Sequence, residues 1–155
     1  MTTLAQTAAD DNLGLFLLEG TGALLAYAAV GLALFVAGFY MTDLVVPGRL
    51  ITVLRQHRNP NATLLVCASM VGVGLITAVS IFAAGGDLVE GLSRTAVFGL
   101  VGILAQGLAT MIFDRLIGIN VRELADDAED RLEPAAILLA VANLMIGFVV
   151  AVSVY

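Results

Sequence analysis

The 155-residue, 16.1 kDa chain is 60% hydrophobic and only 13% charged, with a mean hydropathy of +1.01; soluble domains carry about 25% charged residues and must cover much of their surface with polar side chains. A water-soluble domain is thereby excluded, and the chain reads as an integral membrane protein. One Cys and one His exclude a disulfide framework, a Cys-based zinc site and any histidine cluster, and a net charge of −6 without a single lysine opposes nucleic acid as a partner.

Residues 1–20 form an acidic head, with Asp10-Asp11-Asn12 ahead of an apolar stretch at 13–18, then Glu19 and Gly20-Thr21-Gly22. The head has no basic residue, so the positively charged start of a secretory signal peptide is missing and the segment is expected to be retained. Two readings fit it. Asp11 or Asn12 caps a short interfacial helix, with Glu19 and the two glycines marking a bend into the membrane; or the first helix starts early and tilts.

Uncharged apolar runs long enough to cross a hydrocarbon core of about 30 Å follow at 21–42, 62–84, 95–113 and 135–155. Inside lipid each backbone amide must be satisfied within its own segment, and the alternating polarity of a membrane strand is absent, so these runs are expected to be helices. The expected fold class is all-α, with four transmembrane helices forming one domain over 21–155. Arginine sets the orientation. Arg49, Arg55 and Arg58 lie in the first connection and Arg115, Arg122 and Arg131 in the third, against Arg94 alone in the second. The positive-inside rule then puts connections 43–61 and 114–134 in the cytoplasm and both termini outside.

The two halves resemble one another. Gly38-Phe39-Tyr40-Met41-Thr42-Asp43-Leu44 closes the first span, and Ala109-Thr110-Met111-Ile112-Phe113-Asp114-Arg115-Leu116 closes the third. Each is followed by an arginine-bearing connection with a proline at re-entry, Pro60 before Asn61-Ala62 and Pro134 before Ala135-Ala136. Two tandem two-helix repeats are expected, at 21–84 and 92–155, both entering the membrane in the same direction about a pseudo-two-fold axis along its normal.

These motifs, with Pro47-Gly48 and Asn59-Pro60-Asn61-Ala62 in the first copy and Glu133-Pro134-Ala135-Ala136-Ile137 in the second, resemble the domain-of-unknown-function 350 family, the YjfL-like small bacterial inner-membrane proteins. The resemblance runs from about Leu24 to the C-terminus. The sequence departs from the family pattern at Pro60 and at Leu132-Glu133-Pro134, where an Asn before the Ala pair is typical. What the resemblance implies is a four-helix membrane protein of two tandem copies, without an established activity. It also implies gene neighbourhoods shared with other membrane proteins and with polyamine-ligase-like or polyamine-synthase-like enzymes, and so membership of an assembly.

Asp43 and Asp114 are the candidate cation or proton site. A carboxylate deep in lipid is costly unless paired, protonated or wetted, and an acid at the end of each repeat's first helix would lie at the same depth as its counterpart. Anchoring at the interface, with pairing to Arg49 or Arg115, is the commoner role of such acids. Gln106 and Asn143 are the candidate polar packing residues, being the amides most costly to leave unpaired in hydrocarbon. Gln106 and Thr110 stand four apart and share a face with Gly99 and Gly102, and stripes of Gly and Ala along the spans would allow close helix approach. The glycines of 72–74 and 99–107 lack the strand and the Lys-Ser/Thr of a phosphate loop. Cys67 reads as a small buried hydrophobe. Glu123, Asp126, Asp127, Glu129 and Asp130 form a candidate docking surface on the third connection, for a basic partner or polyamine-like cations.

No nucleophile, base and oxyanion donors can be assembled from these residues, so no enzyme, cofactor or metal is expected. The expected function is a non-enzymatic subunit or scaffold of a bacterial inner-membrane assembly, surrounded by lipid and partnered by copies of itself or other membrane proteins. The alternative is a small oligomeric transporter or channel for protons or cations that uses the repeated aspartates.

Overall fold

The computed structural model describes residues 2–45, 59–85, 87–118 and 131–155, with 2–13 in backbone only. Among them are four helices: α1 Thr2–Val45, α2 Pro60–Phe82, α3 Leu88–Ile117 and α4 Pro134–Val154. All four are long and apolar enough to cross a membrane, and the chain is an all-α, multi-pass membrane protein. α1 and α3 reach well beyond the runs at 21–42 and 95–113. α1 passes unbroken through Gly20-Thr21-Gly22; glycine costs a helix about 1 kcal/mol, which is less than the several kcal/mol of a backbone amide left unpaired in lipid.

Local chemistry sets the other boundaries. Pro60 and Pro134 begin α2 and α4, where a missing N–H costs nothing. The Asn59 side chain caps α2 by accepting from the backbone N–H of Asn61 at 2.8 Å and of Ala62 at 3.3 Å. Glu133 stands at the same place before α4 without a side-chain cap. α3 ends at Gly118, whose φ of 70° lets its N–H bond the carbonyl of Asp114 at 3.1 Å.

The helices pair in parallel. α2 and α4 share the most extensive contact, with a core of Leu65, Ala68, Ala136, Leu139 and Ala140. At one end of this pair Asn61 bonds to Glu133; at the other Phe82 stacks on Tyr155 with ring centroids 6.4 Å apart. α1 and α3 also run in the same direction. Tyr27, Leu34 and Met41 of α1 sit over Gly91, Gly99 and Gly107 of α3, in that order. Lipid tails give no hydrophobic drive between helices, so such close fits are what hold the bundle. The end where α1 and α3 finish and α2 and α4 begin is called the proline end below.

The outward faces are apolar: Leu32, Val71, Leu104, Val141 and Phe148 are all exposed, as the faces of a membrane bundle should be. Cys67 is exposed too, which corrects its expected burial. It sits on the outer side of α2, between the inward-facing Val66 and Ala68 and beyond their shared face.

Candidate functional site

The interior of the bundle is threaded with polar side chains. Asn61, Ser69, Thr77 and Ser80 on α2, Thr95, Gln106 and Thr110 on α3, Thr42 on α1 and Asn143 on α4 are all buried. Towards the proline end a cavity lies between α1, α2 and α3. Its polar walls are Thr42, Ser69, Gln106 and Thr110, completed by Gly38, Met41, Val45, Val73, Ile103 and Gly107. The space open to water-sized spheres is about 20 Å³, enough for one small occupant.

Gln106 dominates this cavity. It is 4% exposed, and its Nε2 donates across the helix interface to the carbonyl of Ser69 at 3.3 Å. Its Oε1 is buried without a partner, a cost of about 1–3 kcal/mol if nothing meets it. Where Gln106 sits, neighbours must be small: a Cβ on Gly72 would run into the Gln106 amide, and one on Gly147 would come within 2.5 Å of the Gly72 Cα. Thr42 Oγ1 donates to the carbonyl of Gly38 at 2.9 Å, which keeps its lone pairs available. Farther along α2, Thr77 Oγ1 and Ser80 Oγ are buried without partners, and Thr95 Oγ1 donates to the Ser80 carbonyl at 3.3 Å.

Asp43 and Asp114 occupy the last turns of α1 and α3 at the proline end, both half-buried. Asp43 is already engaged by a neighbour. Neither aspartate forms a wall of the cavity. Asn143 is buried on α4, one turn before Gly147, the residue that lies against Gly72 and the Gln106 amide. The candidate docking residues Glu123, Asp126, Asp127, Glu129 and Asp130 lie outside the described residues, as do Arg49, Arg55, Arg58 and Arg122. No group of three or more potential metal ligands occurs among the described residues.

Two features were missed by sequence reasoning. One is Asn61, fully buried, whose Oδ1 accepts from the Glu133 N–H at 2.9 Å while its Nδ2 donates to the Arg131 carbonyl at 3.3 Å. Its position next to a departure from the family motif hid this, and the only available signal was the amide itself at the start of an apolar helix. The other is Thr42, which joins Gln106 and Thr110 around one space; the four-residue step from Gln106 to Thr110 marked half of that wall.

The family model described as Domain of Unknown Function (DUF350) matches residues 16–154. Curated relatives are UPF0719 transmembrane proteins: those of Mycobacterium bovis and Mycobacterium tuberculosis are each 37% identical over 81 residues, 52% of this chain and 53% of theirs. That of Mycolicibacterium paratuberculosis is 34% identical over 80 residues, with the same shares covered. The chain thus spans about half the length of the curated relatives it matches. No solved structure matches it.

Proposed function

The chain belongs to the Domain of Unknown Function 350 family, and on that premise we propose that it is a non-enzymatic subunit or scaffold of a bacterial inner-membrane assembly, with both termini outside and connections 43–61 and 114–134 in the cytoplasm. The observation that carries this reading is the bareness of α1. In the most apolar window of Gly14–Val45, 11% of residues are buried, against 44% for α2 and 33% for α3 and for α4. Leu15, Phe16, Leu17 and Leu18 are each more than half exposed, and Cβ atoms added at Gly14, Gly20 and Gly22 would meet nothing within 4 Å. The 32-residue stretch is about 48 Å long at 1.5 Å per residue, well beyond a hydrocarbon thickness of about 30 Å. A helix with a long apolar surface that its neighbours leave bare, and too long for the bilayer, is suited to cover by another protein.

The test places a cysteine at Leu18 in a Cys67→Ser background and oxidises native membranes. Crosslinked copies or a crosslinked partner support the reading; a lone monomer, both after oxidation and after purification in mild detergent, overturns it.

We also read α1–α2 and α3–α4 as tandem copies. In support, the buried residues of α2 and α4 pair at one constant spacing: Ala62 with Ala136, Leu65 with Leu139, Val66 with Ala140, Ser69 with Asn143, Val73 with Gly147 and Thr77 with Ala151.

A second reading, transport of protons or cations, is favoured by one observation, that Asp43 and Asp114 close parallel helices at the same end of the bundle. Flux in proteoliposomes that disappears with Asp43→Asn plus Asp114→Asn supports it, and unchanged flux or none removes it.

A further inference from the structure

We infer that the cavity bounded by Thr42, Ser69, Gln106 and Thr110 is a binding site for a small dehydrated monovalent cation of the size of sodium or potassium. The inference is independent of whether the chain serves as a subunit or as a transporter.

The first argument is the balance of donors and acceptors. The Gln106 amide has committed an N–H to the Ser69 carbonyl, and the Thr42 hydroxyl has committed its proton to the Gly38 carbonyl. Beside the second amide N–H, what these two residues still offer is lone pairs, above all the unpartnered Gln106 Oε1. A buried acceptor left without a donor, beside hydroxyls whose protons can turn to nearby backbone carbonyls, complements a cation. Neutral hydroxyl and amide oxygens are hard ligands, suited to alkali ions.

The second argument is the field. Thr42 and Val45, both in the wall, belong to the final turn of α1, where the helix presents its negative end. Asp43 follows Thr42 and Asp114 lies one turn beyond Thr110, with Arg115 and Arg131 as the described bases at that end. No basic residue forms part of the wall. A buried water would satisfy Gln106 Oε1 equally well, but it gains little from a negative field; a cation gains directly from it.

The third argument is size. A space of about 20 Å³ holds one body of roughly water dimensions and has no room for a polyamine or a hydrated ion. Its apolar walls are themselves tightly seated, since a Cβ on Gly38 would collide with Val73 and one on Gly107 with Met41. An ion that kept its hydration shell would have to displace those contacts. Because the walls come from α1, α2 and α3, an occupant would tie the poorly covered α1 to the other two helices.

The experiment follows thermal unfolding of the full chain in detergent at constant ionic strength, with sodium, potassium or choline as the cation. A ligand that binds only the folded state raises the unfolding midpoint with its concentration, so the midpoint is expected to climb by several degrees over a hundredfold increase in sodium or in potassium, and not in choline. Gln106→Leu and Thr42→Val should flatten the sodium slope, whereas Ser153→Ala, which alters an exposed hydroxyl on α4, should leave it intact. Should Gln106→Leu fail to fold, saturable binding of radioactive sodium to the wild type, reduced at least tenfold in affinity by Thr42→Val, carries the same test. A midpoint that responds to neither sodium nor potassium beyond choline, together with no saturable binding, means that the cavity holds only water, and the inference falls. Sodium binding indifferent to both substitutions overturns its location.

Discussion

α2 and α4 form one kind of helix pair and α1 and α3 another, and the difference lies in what meets at the seam. The first pair is short, at 23 and 21 residues, close to what a bilayer requires. It is fastened at both ends, by the Asn61 bonds and by the Phe82–Tyr155 stack, and in between Gly147 lies directly on the backbone of Gly72. The second pair is longer, at 44 and 30 residues, and meets through Tyr27, Leu34 and Met41 seated over glycines. A seam of backbone on backbone has no slack, whereas a seam of side chain on glycine can yield by a change of rotamer. α2 and α4 are therefore the fixed element, and α1 is the one whose position can be tuned.

That contrast is breakable. Gly147→Ala puts a methyl group within 2.5 Å of the Gly72 Cα and beside Gln106; neither backbone can turn away, so a loss of about 3 kcal/mol, or of folded protein altogether, is expected on overpacking grounds. Unfolding measured by steric trapping or thermal denaturation in detergent reads it directly. Asn61→Ala comes next. It strips the partners from the Glu133 N–H and the Arg131 carbonyl and should cost about 2 kcal/mol. Asn61→Asp, which keeps the acceptor for Glu133, should recover part of that loss. The smallest effect is expected at Gly107→Ala, where the obstacle is the flexible end of Met41 and the side chain can swing aside for under about 1 kcal/mol. Equal costs for Gly147→Ala and Gly107→Ala would erase the distinction between the two seams.

The four crossings were legible in the sequence because an apolar run without charge has one stable outcome in lipid. Residues such as Gln106 and Asn143 could be marked as inward-facing for the same reason. Helix ends were less legible: the glycines at 20 and 22 fit either a bend or a first helix that starts early, and the helix runs through them, since in an apolar setting continuing costs less than stopping. Least legible were the partners. Asn61 reaches residues 70 and 72 positions away, and Gly147 is required to be small by Gly72 on another helix. No local spacing encodes such pairings. The cavity was half visible for this reason: Gln106 and Thr110 share a helix, but Thr42 and Ser69 reach it from two others.

Asn61 has one more consequence. The strand of chain that leaves the acidic stretch at Arg131 is gripped, before it turns into α4, by an amide belonging to a different helix. A load applied to that stretch from outside the bilayer therefore does not pass to α4 alone; it is shared at once with α2, the helix that carries Ser69. The junction works as a crossbar, making two membrane crossings respond as one lever.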